Sequence, residues 1–163
     1  MAQGDVRTLA KAEPDNSWII ARRSSLMPLV LDASIALAWY LPGQGNDYAT
    51  AVYGRLSSGA DHASAPLLWR VELASVLLRS HRRGEISEAH GLQALADAEQ
   101  LPIALFDIQL NGTEIYRLGK RYRLSGYDAL YLELARRLVL PIASADRGIR
   151  SAAARHGVPV FAL

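Results

Sequence analysis

From residue 29 onward, short apolar runs alternate with longer segments in which apolar residues recur every three or four positions. Short apolar runs are typical of buried parallel strands, and the longer period is typical of helices that cover a sheet. The alternation therefore predicts an α/β fold, a three-layer α/β/α sandwich around a central parallel sheet of about five strands. The predicted strands are 29–31, 60–65, 103–106, 141–144 and 160–163, and the predicted helices are 33–41, 48–57, 66–83, 87–100, 108–123, 127–138 and 146–156.

The first 26 residues lack such a pattern, which starts abruptly at Met27-Pro28. We interpret residues 1–26 as a leader or extension that need not be native, and residues 27–163 as the domain. The run Trp18-Ile19-Ile20 is compatible with one extra strand. Charged side chains are scattered through this segment, so we expect no signal peptide.

The amino-acid composition excludes several kinds of functional site. Half of the residues are apolar and the net charge is only +2, which favours one compact domain and is not typical of a protein that binds nucleic acid by charge alone. The cations are 16 arginines and 2 lysines, and arginine suits bidentate contacts with carboxylate or phosphate. The chain has no cysteine, which excludes disulfides, thiolate zinc sites and a cysteine nucleophile. No apolar run approaches the roughly 20 residues of a membrane span, so we expect a soluble, cytoplasmic protein.

Four acidic residues occupy positions that suggest chemistry. Asp32 and Asp146 follow predicted strands, Asp128 lies at a helix start, and Glu72 lies inside the long helix. The carboxyl ends of parallel strands form the crevice where ligands bind in open α/β sheets. Each aspartate also has a structural interpretation, because aspartate is a favoured helix N-cap.

Glu72 is surrounded by apolar residues, so its helix is expected to be largely buried. A buried carboxylate must be paired, coordinated or directed into a polar cleft. The structural alternative is an ion pair with a nearby arginine, for which Arg79 lies on the same face two turns later. Of the other acids, Glu133 is expected at the surface, paired with Arg136 or Arg137, and Asp61 is expected to be solvated.

Several carboxylates in one crevice would repel each other unless a cation neutralised them. Oxygen ligands without nearby histidine or cysteine favour Mg²⁺ or Mn²⁺ over zinc or copper. Such a centre suits hydrolysis of phosphate esters, because the metal activates water and neutralises developing charge. Arg147 and Arg150 follow Asp146 closely and are candidates for binding RNA phosphates, whereas the cluster 79–83 is interpreted mainly as a favourable helix C-terminus.

Four motifs resemble those of PIN-domain ribonucleases, specifically VapC-type toxins of toxin-antitoxin pairs, in the same order over residues 28–163. They are the opening strand with Asp32-Ala33-Ser34, the acidic helix with Trp69-Arg70-Val71-Glu72, the stretch Tyr127-Asp128-Ala129-Leu130-Tyr131, and Pro141-Ile142-Ala143-Ser144-Ala145-Asp146. Ser144 stands where the family usually has threonine, which keeps the hydroxyl, and residues 1–26 have no counterpart.

The resemblance implies cleavage of single-stranded RNA, often tRNA or rRNA, at a Mg²⁺ or Mn²⁺ centre, together with a homodimer and inhibition by a VapB-type antitoxin. Asp32, Asp128 and Asp146 would hold the metal directly or through water, and Glu72 would complete the catalytic site. Ser34 and Ser144 would orient the carboxylates. The homodimer is expected to form through the helices that carry Trp39 and Tyr40 or Leu77 and Leu78.

Two other functions remain open. A strand followed by Asp-x-Ser also begins haloacid-dehalogenase-like phosphohydrolases, in which Asp32 would be a nucleophile, but such sites need a lysine near the phosphate. Lys11 precedes the predicted domain and Lys120 lies within a predicted helix. The second alternative is a non-catalytic module that uses its cleft only to bind a partner.

Overall fold

The computed structural model describes residues 28–163; the expected leader, with Trp18-Ile19-Ile20, lies outside the described residues. Four parallel strands form the sheet, in the order β3-β2-β1-β4. Helices precede and follow every strand after β1, as expected for an α/β/α sandwich. The strands are β1 (Leu29–Leu31), β2 (Ala63–Pro66), β3 (Ile103–Phe106) and β4 (Ile142–Ala143), and the helices are α1 (Ala33–Tyr40), α2 (Asp47–Ser57), α3 (Leu68–Arg82), α4 (Glu88–Gln100), α5 (Gly112–Tyr122), α6 (Gly126–Leu138) and α7 (Arg147–Arg155).

The core is built on the central strand β1, whose three residues are fully buried. Val30 is in register with Ser64 of β2 and with Ile142 of β4. Strand β2 continues the sheet by pairing with β3 from Ala63 to Pro66. A strand buried on both faces is apolar at every position, which explains why a short continuous run predicted it.

The fifth predicted strand is reduced to a single parallel bridge between Ile142 and Val160. Two backbone hydrogen bonds flank it, from Ile142 to the Pro159 carbonyl and from Phe161 to the Ile142 carbonyl, both at 2.9 Å. The described sheet therefore has four strands, slightly fewer than expected. In the described range no helix is long and apolar enough to cross a membrane.

The start of α5 and the place of Pro66 differ from the predictions, whereas the start of α4 agrees with them. Asn111 and Glu114 form a reciprocal capping box, so α5 begins at Gly112 rather than near residue 108. Pro66 ends β2 instead of opening α3. Ser87 caps α4 by accepting a hydrogen bond from the His90 backbone, as predicted.

Two acids that were expected to be exposed are buried. Glu133 is 3% exposed and Asp61 is 1% exposed. Glu133 accepts hydrogen bonds from Arg136, Arg137 and the Tyr122 hydroxyl. Burial alone would raise the pKa of Glu133, but these donors outweigh it and lower the pKa to about 2. The predicted arginine partners of Glu133 are confirmed, whereas its surface position is wrong.

Asp61 pairs with Arg55. Its carboxylate is buried between α2 and β2 and is not solvated as expected, since the arginine side chain replaces water.

Candidate active site and metal centre

Asp32 joins the end of β1 to the loop after β4. Its backbone N–H donates to the Ala143 carbonyl at 3.0 Å. Asp32 occupies the N-cap position of α1, yet its side chain caps no backbone N–H. Instead, Oδ2 accepts hydrogen bonds from Ser34 Oγ and, at 2.8 Å, from Ser144 Oγ. The N-cap interpretation is therefore wrong for this 5%-exposed carboxylate, which two hydroxyls hold in place.

The same hydroxyls bind the loop that follows β4. Ser144 Oγ accepts from the Asp146 backbone N–H at 3.0 Å, and Ser34 Oγ accepts from the Ala145 N–H at 2.9 Å. Each hydroxyl thus donates to Asp32 and accepts from the backbone next to Asp146. A serine at position 144 meets this requirement as a threonine would, because only the hydroxyl is used.

Asp146 is the N-cap of α7, where its Oδ1 accepts from the Ile149 N–H at 2.8 Å. The structural interpretation is right here, but the same exposed side chain also lines the central cavity. A Cβ on Gly148 would lie 2.9 Å from Asp146 Oδ1. Glycine at 148 therefore leaves room for the capping carboxylate.

Asp128 is not a cap, because Ser125 is the N-cap of α6. Ser125 Oγ accepts from the Asp128 N–H at 3.1 Å and donates to Asp128 Oδ2 at 2.7 Å. Asp128 is the third residue after the cap Ser125, so its hydrogen bonds with that cap fix its side chain. The cap thus orients the carboxylate.

Glu72 lies in the first turns of α3 and is half-buried. Its Oε2 accepts a hydrogen bond from the hydroxyl of Tyr131, a fully buried residue of α6. No ion pair within residues 28–163 involves Glu72, so the structural alternative, an arginine partner, is wrong. Sequence reasoning missed Tyr131 in this role. The available signal was its position three residues after Asp128, on the same face of the helix.

All four acids line one cavity of about 460 Å³ at the carboxyl edge of the sheet. Burial raises the pKa of Asp32, and the charges of Asp128 and Asp146 raise it further against the two serine hydrogen bonds. Burial also raises the pKa of Glu72, opposed by the Tyr131 hydrogen bond and increased by Asp32 and Asp128. The acids therefore act on one another electrostatically. The remaining lining residues are Ala33, Ser34, Leu37, Val71, Ser75, Val76, Arg79 and Tyr127.

The PIN domain family model matches residues 29–155, which is more than half of the chain and includes all four acids. The chain belongs to the PIN domain family. Its fold is similar to the crystal structures of PAE2754 from Pyrobaculum aerophilum and FitAcB from Neisseria gonorrhoeae. PAE2754 has 18% identity and a TM-score of 0.59, with 78% of this chain and 85% of that chain covered. FitAcB has 20% identity and a TM-score of 0.55, with 83% of this chain and 97% of that chain covered. No curated protein sequence matches the chain.

The donor set of this PIN domain fits a hard divalent cation. Oδ1 of Asp32 accepts no hydrogen bond from residues 28–163, although the residue is nearly buried and lines the cavity. In that same range no three histidine or acidic side chains lie close enough to enclose an ion by themselves. Mg²⁺ typically uses one or two carboxylates and keeps several waters, so the oxygen-rich cavity suits it better than it suits an ion that needs a complete protein cage.

The two predicted RNA-binding arginines lie beside this cavity rather than in its lining. Arg150 Nη1 donates to the carbonyls of Ser144 and Ala145, at 3.0 and 2.7 Å. Arg150 therefore fixes the loop that carries Asp146. Arg147 is exposed in the first turn of α7. Their contact with RNA stays a prediction.

Proposed function

We propose that this PIN domain is a Mg²⁺- or Mn²⁺-dependent endoribonuclease that hydrolyses RNA phosphodiester bonds. The observation that carries the proposal is the convergence of Asp32, Glu72, Asp128 and Asp146 on one cavity, where burial and like charges raise the pKa of Asp32 and Glu72. Such an arrangement is unfavourable for folding alone and becomes favourable when a cation binds. PIN domains are generally nucleases, which agrees with this chemistry.

In this proposal Asp32, Asp128 and Asp146 hold the ion directly or through water. When bound, the ion lowers the pKa of a water molecule and offsets charge that develops on the phosphoryl group. Glu72 orients the attacking water through Oε1, since Oε2 is occupied by Tyr131.

Ser34 and Ser144 keep the Asp32 carboxylate directed into the cavity. Each serine also fixes the loop before Asp146, so the two aspartates are positioned together. Hydrogen bonds of this kind around a metal ligand typically change metal affinity or activity by about 10- to 100-fold.

The test is to incubate the purified protein with total RNA and Mg²⁺ or Mn²⁺, with and without EDTA. Asp32→Asn is the inactive variant, and Asp97→Asn, an exposed aspartate of α4, is the matched control. We expect metal-dependent cleavage by the wild type and by Asp97→Asn but not by Asp32→Asn. Calorimetric titration with Mn²⁺ gives a second readout without RNA. Equal Mn²⁺ binding by Asp32→Asn and the wild type would contradict the assignment of the metal site.

We further propose that the nuclease is the toxin of a toxin-antitoxin pair, inhibited by a VapB-type antitoxin, as the resemblance of its four ordered motifs implies. Induced expression of the wild type in bacteria should then stop growth, and expression of Asp32→Asn should not. Sequencing of RNA from the arrested cells would identify cleavage of tRNA or rRNA. Normal growth with an active enzyme present would contradict the toxin role.

A homodimer is part of the same proposal, and of its two predicted surfaces the one that carries Leu78 is the more exposed. Trp39 is partly buried against the core, where its Nε1 donates to the Ala49 carbonyl at 2.7 Å. By contrast, Leu78 and Leu92 are 48% and 61% exposed and line an apolar groove between α3 and α4. Light scattering should give a dimer for the wild type and a monomer for Leu78→Glu. A wild-type monomer at micromolar concentration would contradict dimerisation.

No observation favours the two alternative functions. An Asp32-nucleophile phosphohydrolase would need a lysine near the phosphate. No described lysine lines the cavity, and Lys120 lies on α5; Lys11 lies outside the described residues. A non-catalytic binding module would bind Mn²⁺ and RNA without cleavage in the assay above.

A further inference from the structure

We propose that Arg79 and Tyr127 bind one nucleotide next to the scissile bond of single-stranded RNA. Tyr127 stacks on the base, and Arg79 pairs with a backbone phosphate. This inference rests on the proposed nuclease function and adds to it the residues that hold the substrate. Neither residue contributes a carboxylate, and both line the same cavity as the four acids.

Arg79 is placed in the cavity by the geometry of α3. It follows Glu72 by seven residues, which is two helical turns and about 11 Å along the helix axis. Ser75 and Val76 lie between them and also line the cavity, so one face of α3 forms a wall from the acids to Arg79. An arginine two turns along the helix from Glu72 is suited to a phosphate next to the reacting one.

Arg79 also has no competing role in the described residues, where neither a side-chain hydrogen bond nor an ion pair engages it. Arg55 and Arg83 pair with acids, and Arg150 binds two carbonyls. Arg79 is the one cation among the described residues that line the cavity. Its exposed guanidinium is therefore free to form a bidentate contact with phosphate.

Tyr127 presents an aromatic surface to the same cavity from α6. It is 65% exposed and lies directly before Asp128 in the first turn of α6. Its hydroxyl makes no hydrogen bond within residues 28–163, unlike that of the buried Tyr131, which holds Glu72. An exposed ring beside an acidic cavity does not serve the core, whereas it provides a platform on which an unpaired base can stack.

Val71 of α3 adds a second exposed apolar side chain to the cavity lining and is also 65% exposed. A metal site by itself needs no exposed apolar walls, but a base held next to it does. The four carboxylates repel the RNA backbone, and Arg79 offsets part of that repulsion. The four acids, the exposed side chains of Tyr127 and Val71, and the single cation together match a nucleotide with an unpaired base.

The experiment measures binding, in the Asp32→Asn background with Mg²⁺, of a short fluorescein-labelled single-stranded RNA of mixed sequence. Anisotropy titrations are repeated over a series of NaCl concentrations. Arg79→Gln should reduce the slope of log K against log salt by about 0.7, the value for one phosphate contact on a single strand. Arg70→Gln is the control, since Arg70 is exposed on the opposite face of α3 and should leave the slope unchanged.

Stacking is tested in the same assay. Tyr127→Leu should weaken binding by about 5- to 150-fold, whereas Tyr127→Phe, which keeps the ring, should restore it. Binding of the duplex form of the RNA should not respond to Tyr127→Leu, because its bases are already stacked.

The possible failures are distinguishable. If Arg79→Gln behaves like Arg70→Gln, or if Tyr127→Leu behaves like Tyr127→Phe, RNA binds elsewhere and the inference is overturned while the nuclease proposal stands. If neither the wild type nor any of the variants binds RNA, the proposed function fails and the inference fails with it.

Discussion

Replacing Asp32 with asparagine should make the metal-free protein more stable, although it removes a carboxylate on which the proposed site depends. Burial raises the pKa of Asp32, and the charges of Asp128 and Asp146 add to that shift. A carboxyl group whose pKa is higher in the folded state than in the unfolded state loses stability when it ionises. The ionised side chain therefore opposes folding at neutral pH.

The magnitude follows from what the substitution keeps and removes. The Oδ1 of asparagine can accept the two hydrogen bonds from Ser34 and Ser144 that Asp32 Oδ2 accepts now. The substitution removes the buried charge and its repulsion with the neighbouring acids. We expect a gain of about 0.5–2 kcal/mol in the free energy of unfolding, the range common for single stabilising substitutions. For a chain of this size the melting temperature should rise by about 1–8 °C.

The pH dependence of stability independently tests whether Asp32→Asn stabilises the metal-free protein. As the pH falls through the folded-state pKa of Asp32, the wild type takes up a proton and recovers the lost stability, whereas the variant has no such group. The difference in stability should be largest at neutral pH and should shrink in acid. Thermal unfolding followed by circular dichroism in EDTA, at neutral and acidic pH, measures it, with Asp97→Asn as the matched control.

Bound metal should make the wild type more stable than Asp32→Asn, which reverses the order expected in EDTA. A ligand at about a hundred times its dissociation constant stabilises the folded state by about 2.7 kcal/mol, so saturating Mn²⁺ should raise the wild type above Asp32→Asn. The reasoning is refuted if the variant is less stable than the wild type in EDTA at neutral pH. That result would mean that the carboxylate is a structural acceptor that asparagine cannot replace.

Three further substitutions test individual contacts. Ser144→Ala should lower the free energy of unfolding in urea by about 1.5–3 kcal/mol, because the buried hydroxyl donates to a carboxylate, whereas Ser144→Thr should stay close to the wild type. Gly148→Ala should displace the Asp146 carboxylate, which a Cβ would meet at 2.9 Å, and weaken Mn²⁺ binding in calorimetry; unchanged affinity would separate Asp146 from the metal. Glu133→Gln should cost about 1–3 kcal/mol near neutral pH, and the gap should close as the pH falls from about 4 towards 2, because the pKa of Glu133 is lowered to about 2. A pH-independent gap in urea unfolding would contradict that pairing.

Much of the fold could be predicted because strands and helices differ in their apolar period. Strand β1 is apolar at each of its residues and is fully buried, and β3 has the predicted bounds. The end of the chain was harder to predict, because Val160 carries an apolar pattern but forms only one bridge. The neighbouring Phe161 is buried by packing without belonging to a strand, so an apolar run near the end of the chain need not form one.

The positions of the four acids could also be predicted, since Asp32 and Asp146 follow strands that end at the same edge of the sheet. Their partners could not. The helical period places Tyr131 on the same face as Asp128, but it does not show which residue of a distant helix its hydroxyl contacts. Glu133 was predicted at the surface because Arg136 and Arg137 follow it at the spacing of an exposed helix face. In the structure its carboxylate also accepts a hydrogen bond from the buried Tyr122.

The central claim is that one divalent ion binds among the acids at the carboxyl edge of the sheet. Crystals soaked in Mn²⁺ and measured near the manganese absorption edge test it most directly, because anomalous scattering locates the ion independently of the protein. We predict an anomalous peak in the cavity within coordination or water-mediated distance of Asp32, Asp128 and Asp146, and no such peak in crystals of Asp32→Asn. A peak that persists in the variant, or manganese bound only at other surfaces, would contradict the account.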